Sequence, residues 1–193
     1  MSEYAINKLD ATTWDAWARL AEKHNGMGFG GCWCTWFHSR EGRPEGEKGR
    51  PWKERLVREG NAQAALVFDG AAVAWCQYGS PDELPNIHHR KDYEATRTDE
   101  LPDYRVTCIF VDRDYRRKGV AGVALRGAID LIAKAGGGVV EGYPQDTQGK
   151  KISSKFLYNT TRSLYEQTGF SYDRPKGKNH CVMRRTVSPA KVS

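Results

Sequence analysis

The chain has 193 residues, the size of one domain, with 30 Lys+Arg against 24 Asp+Glu and a net charge of +6. Five irregularly spaced cysteines argue against a disulfide-stapled secreted scaffold, and no apolar run approaches the roughly 18 residues needed to span a bilayer. Hydrophobic residues at 39%, with 6 Trp, 9 Tyr and 6 Phe, exclude a chain without a core. The opening MSEYAINKLD lacks the apolar stretch of a secretory leader, so a cytoplasmic location with reduced thiols and no membrane partner is the expectation.

In chain order, Tyr4–Leu9 alternates as a first strand, and Thr12 or Thr13 offers an N-cap. Trp14, Trp17, Leu20, Ala21 and His24 then follow helical spacing to the Asn25-Gly26 stop. Met27–Arg40 is rich in glycine and aromatics, Glu41–Arg50 is a charged loop, and Pro51–Glu59 suits a short helix. Ala64–Phe68 and Ala71–Gly79, around Asp69-Gly70, form the clearest hairpin. Ser80–Asp103 is a long polar connection, and Arg105–Val111 an apolar, β-branched strand. Gly119 opens a helix whose apolar positions keep i, i+3, i+4 spacing to Ala135, and Gly136–Gly138 ends it. Val139–Tyr143 is a strand, Thr161–Thr168 a helix, and Phe170–Arg174 and Cys181–Thr186 are closing strands. The expected fold is one mixed α/β domain over 1–186, with a loose tail at 187–193.

The positive charge is uneven. Residues 1–147 carry 20 basic and 22 acidic side chains, whereas 148–193 carry 10 and 2. Within the neutral part, Arg116, Arg117 and Lys118 stand immediately before Gly119, Val120, Ala121 and Gly122, at the start of the long helix. Unpaired amides and the helix dipole favour an anion there, small residues permit close approach, and the basic side chains supply phosphate donors. These residues predict a pyrophosphate site.

The spacing Arg116-x-x-Gly119-x-Ala121 resembles the acetyl-coenzyme A loop of the GNAT superfamily of N-acyltransferases, and Leu164-Tyr165-Glu166-Gln167-Thr168-Gly169-Phe170 is similar to that family's late LYexxGF segment. The resemblance covers roughly residues 64–186. It implies a mostly antiparallel twisted sheet with a splayed strand pair, and acetyl-CoA as co-substrate. It further implies that Phe110 and Val111 hold the pantetheine arm and that amides from Arg117 to Gly122 cradle the pyrophosphate. Asn159 would reach the pantetheine, though its spacing to Tyr165 is unusual, and Tyr165 would return a proton to the leaving thiolate. The acceptor would be a primary amine, on a small molecule or a protein, attacking without a covalent enzyme intermediate. A homodimer is common among such proteins. The strand Tyr104–Val111 lacks the family's frequent glutamate, so Glu141, with Asp146 behind it, is the candidate base or else a structural carboxylate. Alternatives on the same fold are a non-catalytic coenzyme A- or nucleic-acid-binding module and a transferase using charged tRNA. Arg116–Lys118 has a cofactor to answer to, so nucleic acid is not needed to explain it.

Cys32-x-Cys34-x-x-x-His38 has the residue types of a zinc site, with Cys76, Cys108, Cys181 or His180 to complete four, but not the usual C-x₂-C spacing, and a reactive or redox thiol pair is a further option. The expectation is no metal and an aromatic wall of the acceptor pocket, with Trp33 and Trp36 lining it and His38 touching substrate. Gly26-x-Gly28-x-x-Gly31 matches a dinucleotide fingerprint but follows a helix instead of a strand. His88-His89 is read as solvated.

Overall fold

The computed structural model describes residues 4–27, 31–147 and 157–191. The Asp69-Gly70 turn joins β2 (Gln63–Asp69) to β3 (Ala71–Gly79), and β1 (Ala5–Lys8) adds to the free edge of β2. On the other side follow β4 (Tyr104–Val111) and β5 (Gly138–Gly142), then β7 (His180–Val187) and finally β6 (Ser171–Lys176), giving one seven-stranded sheet in the order β1-β2-β3-β4-β5-β7-β6. Only β4 and β5 pair parallel; all other neighbours are antiparallel. Pro175 lies in β6, where an edge strand tolerates a missing N–H.

Each face of the sheet carries its own core. The helix α4 (Val120–Lys134) turns Val120, Ala124, Leu125, Ala128 and Ile132 onto Val67, Cys76, Val106 and Met183. The opposite face is covered by α1 (Trp14–Lys23) and α2 (Gly49–Arg58), where Trp17 stacks on Trp14 and packs at a tilt on Trp75, each with ring centroids 5.2 Å apart. Buried Trp and Leu side chains here each withdraw enough apolar area to contribute about 2–3 kcal/mol.

Two expectations change. The connection after β3 contains a helix, α3 (Arg90–Thr96), whose Tyr93 is buried beneath β5. Tyr93 is the one large apolar side chain within Arg90–Thr96, so no periodicity announces the helix. The expected loose tail continues β7 to Val187, and the Ala190 N–H then donates to Ala133 at 2.8 Å. Among the described residues no helix is long and apolar enough to cross a membrane.

The feature that positions the site is the short pairing of β4 with β5. It covers Tyr104↔Val140, Arg105↔Glu141 and Val106↔Gly142, after which β4 runs on to Val111 paired with β3 but no longer with β5. A register shift between Gln77 and Tyr78 of β3 leaves Thr107 as an extra residue in β4 and bends that strand away from β5. The strands therefore open into a V with its apex at Val106 and Gly142.

Candidate active site

At the apex, the Asn159 Nδ2–H donates to the Val106 carbonyl (3.2 Å), and the Tyr158 carbonyl accepts from the Ile109 N–H (2.7 Å). The Tyr165 ring lies against Gly142, where an added Cβ would overlap it, and its hydroxyl donates to Asn159 Oδ1 at 2.5 Å. Burial holds the Tyr165 phenol well above its ordinary pKa, so it is a protonated donor. Tyr165 comes from α5 (Arg162–Gln167), so the two late motif residues meet at the point where β4 and β5 part.

Below the apex lies a cleft of about 760 Å³. Phe110, Val111, Arg116, Arg117 and the run Gly119–Gly122 line it, so most of the expected cofactor residues meet in one space, whereas Asn159 and the fully buried Tyr165 stand behind the apex and are not on its wall. Strand alternation orients β4. The Asp112 N–H reaches Val73 on the β3 side and the Ile109 N–H reaches the V, which turns the Val111 N–H into the V as well. Arg116 Nε donates to the Val111 carbonyl at 3.3 Å, tying the phosphate loop to the strand.

The loop reaches α4 through two left-handed residues, Arg117 (φ 60°) and Gly119 (φ 76°). Gly119 is the N-cap, and its carbonyl accepts from Gly122 (3.0 Å) and Val123 (3.3 Å). Helix geometry leaves the Val120 and Ala121 amides facing outward with partial positive charge. This donor set fits a diphosphate. Lys118 departs from expectation: it is not on the cleft wall, and its Nζ sits 5.2 Å over the Tyr115 ring. Asp112 caps the preceding turn. Burial pushes its pKa up, but Lys23 at 2.7 Å more than offsets this and holds it below the ordinary value.

The carboxylate expected as base is elsewhere. Glu141 is fully buried; Tyr93 (2.8 Å) and Tyr143 (3.0 Å) donate to one oxygen, and Arg184 (3.7 Å) and Arg174 (3.9 Å) flank the other. On β5, with these four neighbours, it is the hub of a structural cluster and does not line the cleft. Asp146 pairs with Arg162 at 3.4 Å. Among the described residues lining the cleft there is no carboxylate.

The three expected acceptor residues separate. Trp33 packs on Gly26 and Trp17 as core. Trp36 is exposed and stacks on His88 with ring centroids 4.0 Å apart, so His88 is part of an aromatic surface that continues to Tyr158. His38 donates from Nδ1 to the Glu83 carbonyl (3.0 Å), which leaves Nε2 to accept from Lys53 Nζ (2.9 Å). Burial, with Lys53 beside it, keeps His38 neutral. Lys53 is itself fully buried, reaches Gln77 at 2.6 Å, and has its pKa lowered to about 8 by burial.

The sequence offers Cys108 only as one of four possible partners for Cys32 and Cys34, and does not point to Tyr158, His24 or Lys53. Lys53 had a signal, since it falls with Gly49, Trp52 and Val57 on the inward stripe of α2. Tyr158 had none, and nothing singled Cys108 out from the other candidates, because their place on the cleft wall depends on the turn before α5 and on the β4 bulge.

Compared with known proteins, the sequence matches no protein-family model and no curated protein. The fold has clear counterparts. A GNAT-family acetyltransferase from Streptococcus agalactiae superimposes with a TM-score of 0.51 at 14% identity over 95% of each chain. A histone acetyltransferase HPA2 and related acetyltransferase from Corynebacterium glutamicum gives 0.53 at 14% identity, over 100% of this chain and 99% of that one. A mosquito arylalkylamine N-acetyltransferase-like protein 5b gives 0.57 at 12% identity, over 95% of this chain and 100% of that one. The chain has the fold of the GNAT superfamily, with its splayed strand pair in place.

Proposed function

We propose that the protein is an acetyl-CoA-dependent N-acetyltransferase acting on a primary amine. The observation that carries this reading is the donor cradle Arg116–Gly122 at one end of a cleft that follows the unpaired edge of β4. The outward amides of Val120 and Ala121 and the Arg117 guanidinium would hold the diphosphate, and the Val111 N–H would fix the pantetheine arm. Acetyl-CoA supplies an acyl thioester, which an amine attacks directly.

The chain's own residues then handle orientation and one proton. Tyr165, kept protonated at the apex, exchanges its bond to Asn159 for the departing thiolate and donates to it. Asn159, anchored to the Val106 carbonyl, holds that hydroxyl in place until then. Tyr158 on the cleft wall continues into the exposed aromatic surface of His88 and Trp36, along which an acceptor would approach. With no carboxylate on the described cleft wall, the amine's proton leaves to water, and water returns one proton to the Tyr165 phenolate, which restores its bond to Asn159.

The test is thiol release from acetyl-CoA across a panel of primary amines and N-terminal peptides, with the acetylated product identified by mass spectrometry. At least one amine should give product in stoichiometric step with thiol. Thiol release without any acetylated amine would contradict the reading.

A further inference from the structure

The Cys34 and Cys108 sulfurs lie 3.1 Å apart, joining the turn before the 3-10 segment Trp36–His38 to the middle of β4. Both side chains are buried from bulk solvent, yet both form part of the cleft wall, as does the partly exposed Cys32. Two successive left-handed residues, Trp33 (φ 47°) and Cys34 (φ 49°), make the turn that drives Cys34 inward. Non-glycine residues adopt that conformation only where surrounding contacts impose it.

We propose that Cys34 and Cys108 are a redox-modifiable dithiol that a small disulfide entering the cleft converts to an intramolecular disulfide. One thiol of the pair, as thiolate, attacks a sulfur of the reagent RSSR and expels RS⁻, leaving a mixed disulfide. The second thiolate then attacks the protein sulfur of that mixed disulfide and expels the second RS⁻. The two thiol protons end on the two released thiolates, so the protein loses two electrons and RSSR gains them. Forming the bond requires the sulfurs to close by about 1 Å from their present contact. The other two cysteines, Cys76 and Cys181, lie in the core on the α4 side and do not line the cleft.

Cys34 stands between two thiols: it hydrogen-bonds the side chain of its sequence neighbour Cys32, and its sulfur reaches across to Cys108 on β4 at 3.1 Å. The hydrogen bond to Cys108 is the largest influence holding the Cys34 thiol above its ordinary pKa, and the Cys32 hydrogen bond and the Lys53 charge pull the other way, so the geometry and not thiol acidity points to this pair. Among the described residues no group of three or more His, Cys, Asp or Glu is arranged to hold a metal ion. A Cys34–Cys108 bond would pin the 31–38 segment to the strand that bounds the cleft, making that wall sensitive to the thiol–disulfide balance.

The experiment uses the full chain, reduced and freed of reductant, then incubated with excess 2-hydroxyethyl disulfide. After alkylation under denaturing conditions the peptides are mapped by mass spectrometry. The expected result is the loss of two of the five free thiols to one link joining the peptides of Cys34 and Cys108, reversed by dithiothreitol, with Cys32 still alkylated. A Cys32–Cys34 link would overturn the proposal. So would mixed disulfides without a cross-link, five free thiols under conditions that oxidise the denatured chain, or one zinc per chain in protein purified without chelator. In Cys108→Ser, Cys34 should end free or as a mixed disulfide; a Cys34 cross-link persisting in that variant would equally contradict it.

Discussion

Two residues divide the chemistry expected from the sequence, and their surroundings decide between them. Glu141 and Tyr165 are both fully buried. Glu141 faces two phenols and two guanidinium groups on the β5 side, whereas Tyr165 faces the apex of the V through Asn159. Glu141→Gln should therefore act on stability: losing the charge between Arg174 and Arg184 should cost about 2–4 kcal/mol, read as a lower denaturant midpoint. The kcat of the folded fraction should stay within about twofold; a collapse of kcat with stability intact would return the base role to Glu141. Tyr165→Phe should do the reverse, lowering kcat by about 10²-fold or more with little change in KM. Tyr158, the phenol on the cleft wall, is the comparison. If Tyr158→Phe lowers kcat more than Tyr165→Phe does, the donor is Tyr158.

Among the elements, the break between β4 and β5 matters most, and it depends on the absence of one side chain. Gly142 ends the pairing, and an added Cβ would overlap the Tyr165 ring. Gly142→Ala should force that ring from its seat, costing about 1–3 kcal/mol and lowering kcat in parallel with Tyr165→Phe. A variant of unchanged stability and turnover would show that the apex is looser than described. Much of this level was legible in the sequence. The Asp69-Gly70 hairpin, the α4 stripe and the LYexxGF segment carry local signals, and each element falls within a few residues of its expected place. The helix α3, the bulge at Thr107 and the turn that pairs Cys34 with Cys108 carried none, because each is set by a partner distant in sequence. The phosphate loop was readable as residues, but not that Lys118 would turn to Tyr115.

For the whole molecule, the charge resolves into separate assignments. Of the basic residues in 148–193, Arg162 pairs with Glu166 and Asp146, and Arg174 with Asp173 and Glu141. Arg184 pairs with Asp99, Arg185 donates to the Thr168 carbonyl, and Lys176 donates to that of His88. That segment's excess therefore goes in part to holding β6, β7 and α5 together; Lys150, Lys151 and Lys155 lie outside the described residues. Arg116 and Arg117 remain on the cleft wall, beside amides that no side chain neutralises among the described residues.

Calorimetric titration with acetyl-CoA, on the wild type and on Gly119→Glu, tests this account most directly. The position has open space around a built Cβ, so the new carboxylate projects toward the anion site without displacing the core. Because φ there is 76°, Gly119→Ala controls for backbone strain alone. The wild type should show one saturable site with a Kd below about 1 mM. Affinity should be modestly reduced in the alanine variant and weakened more than about 100-fold in the glutamate variant. No binding by the folded wild type, or undiminished binding by a folded Gly119→Glu, would contradict it.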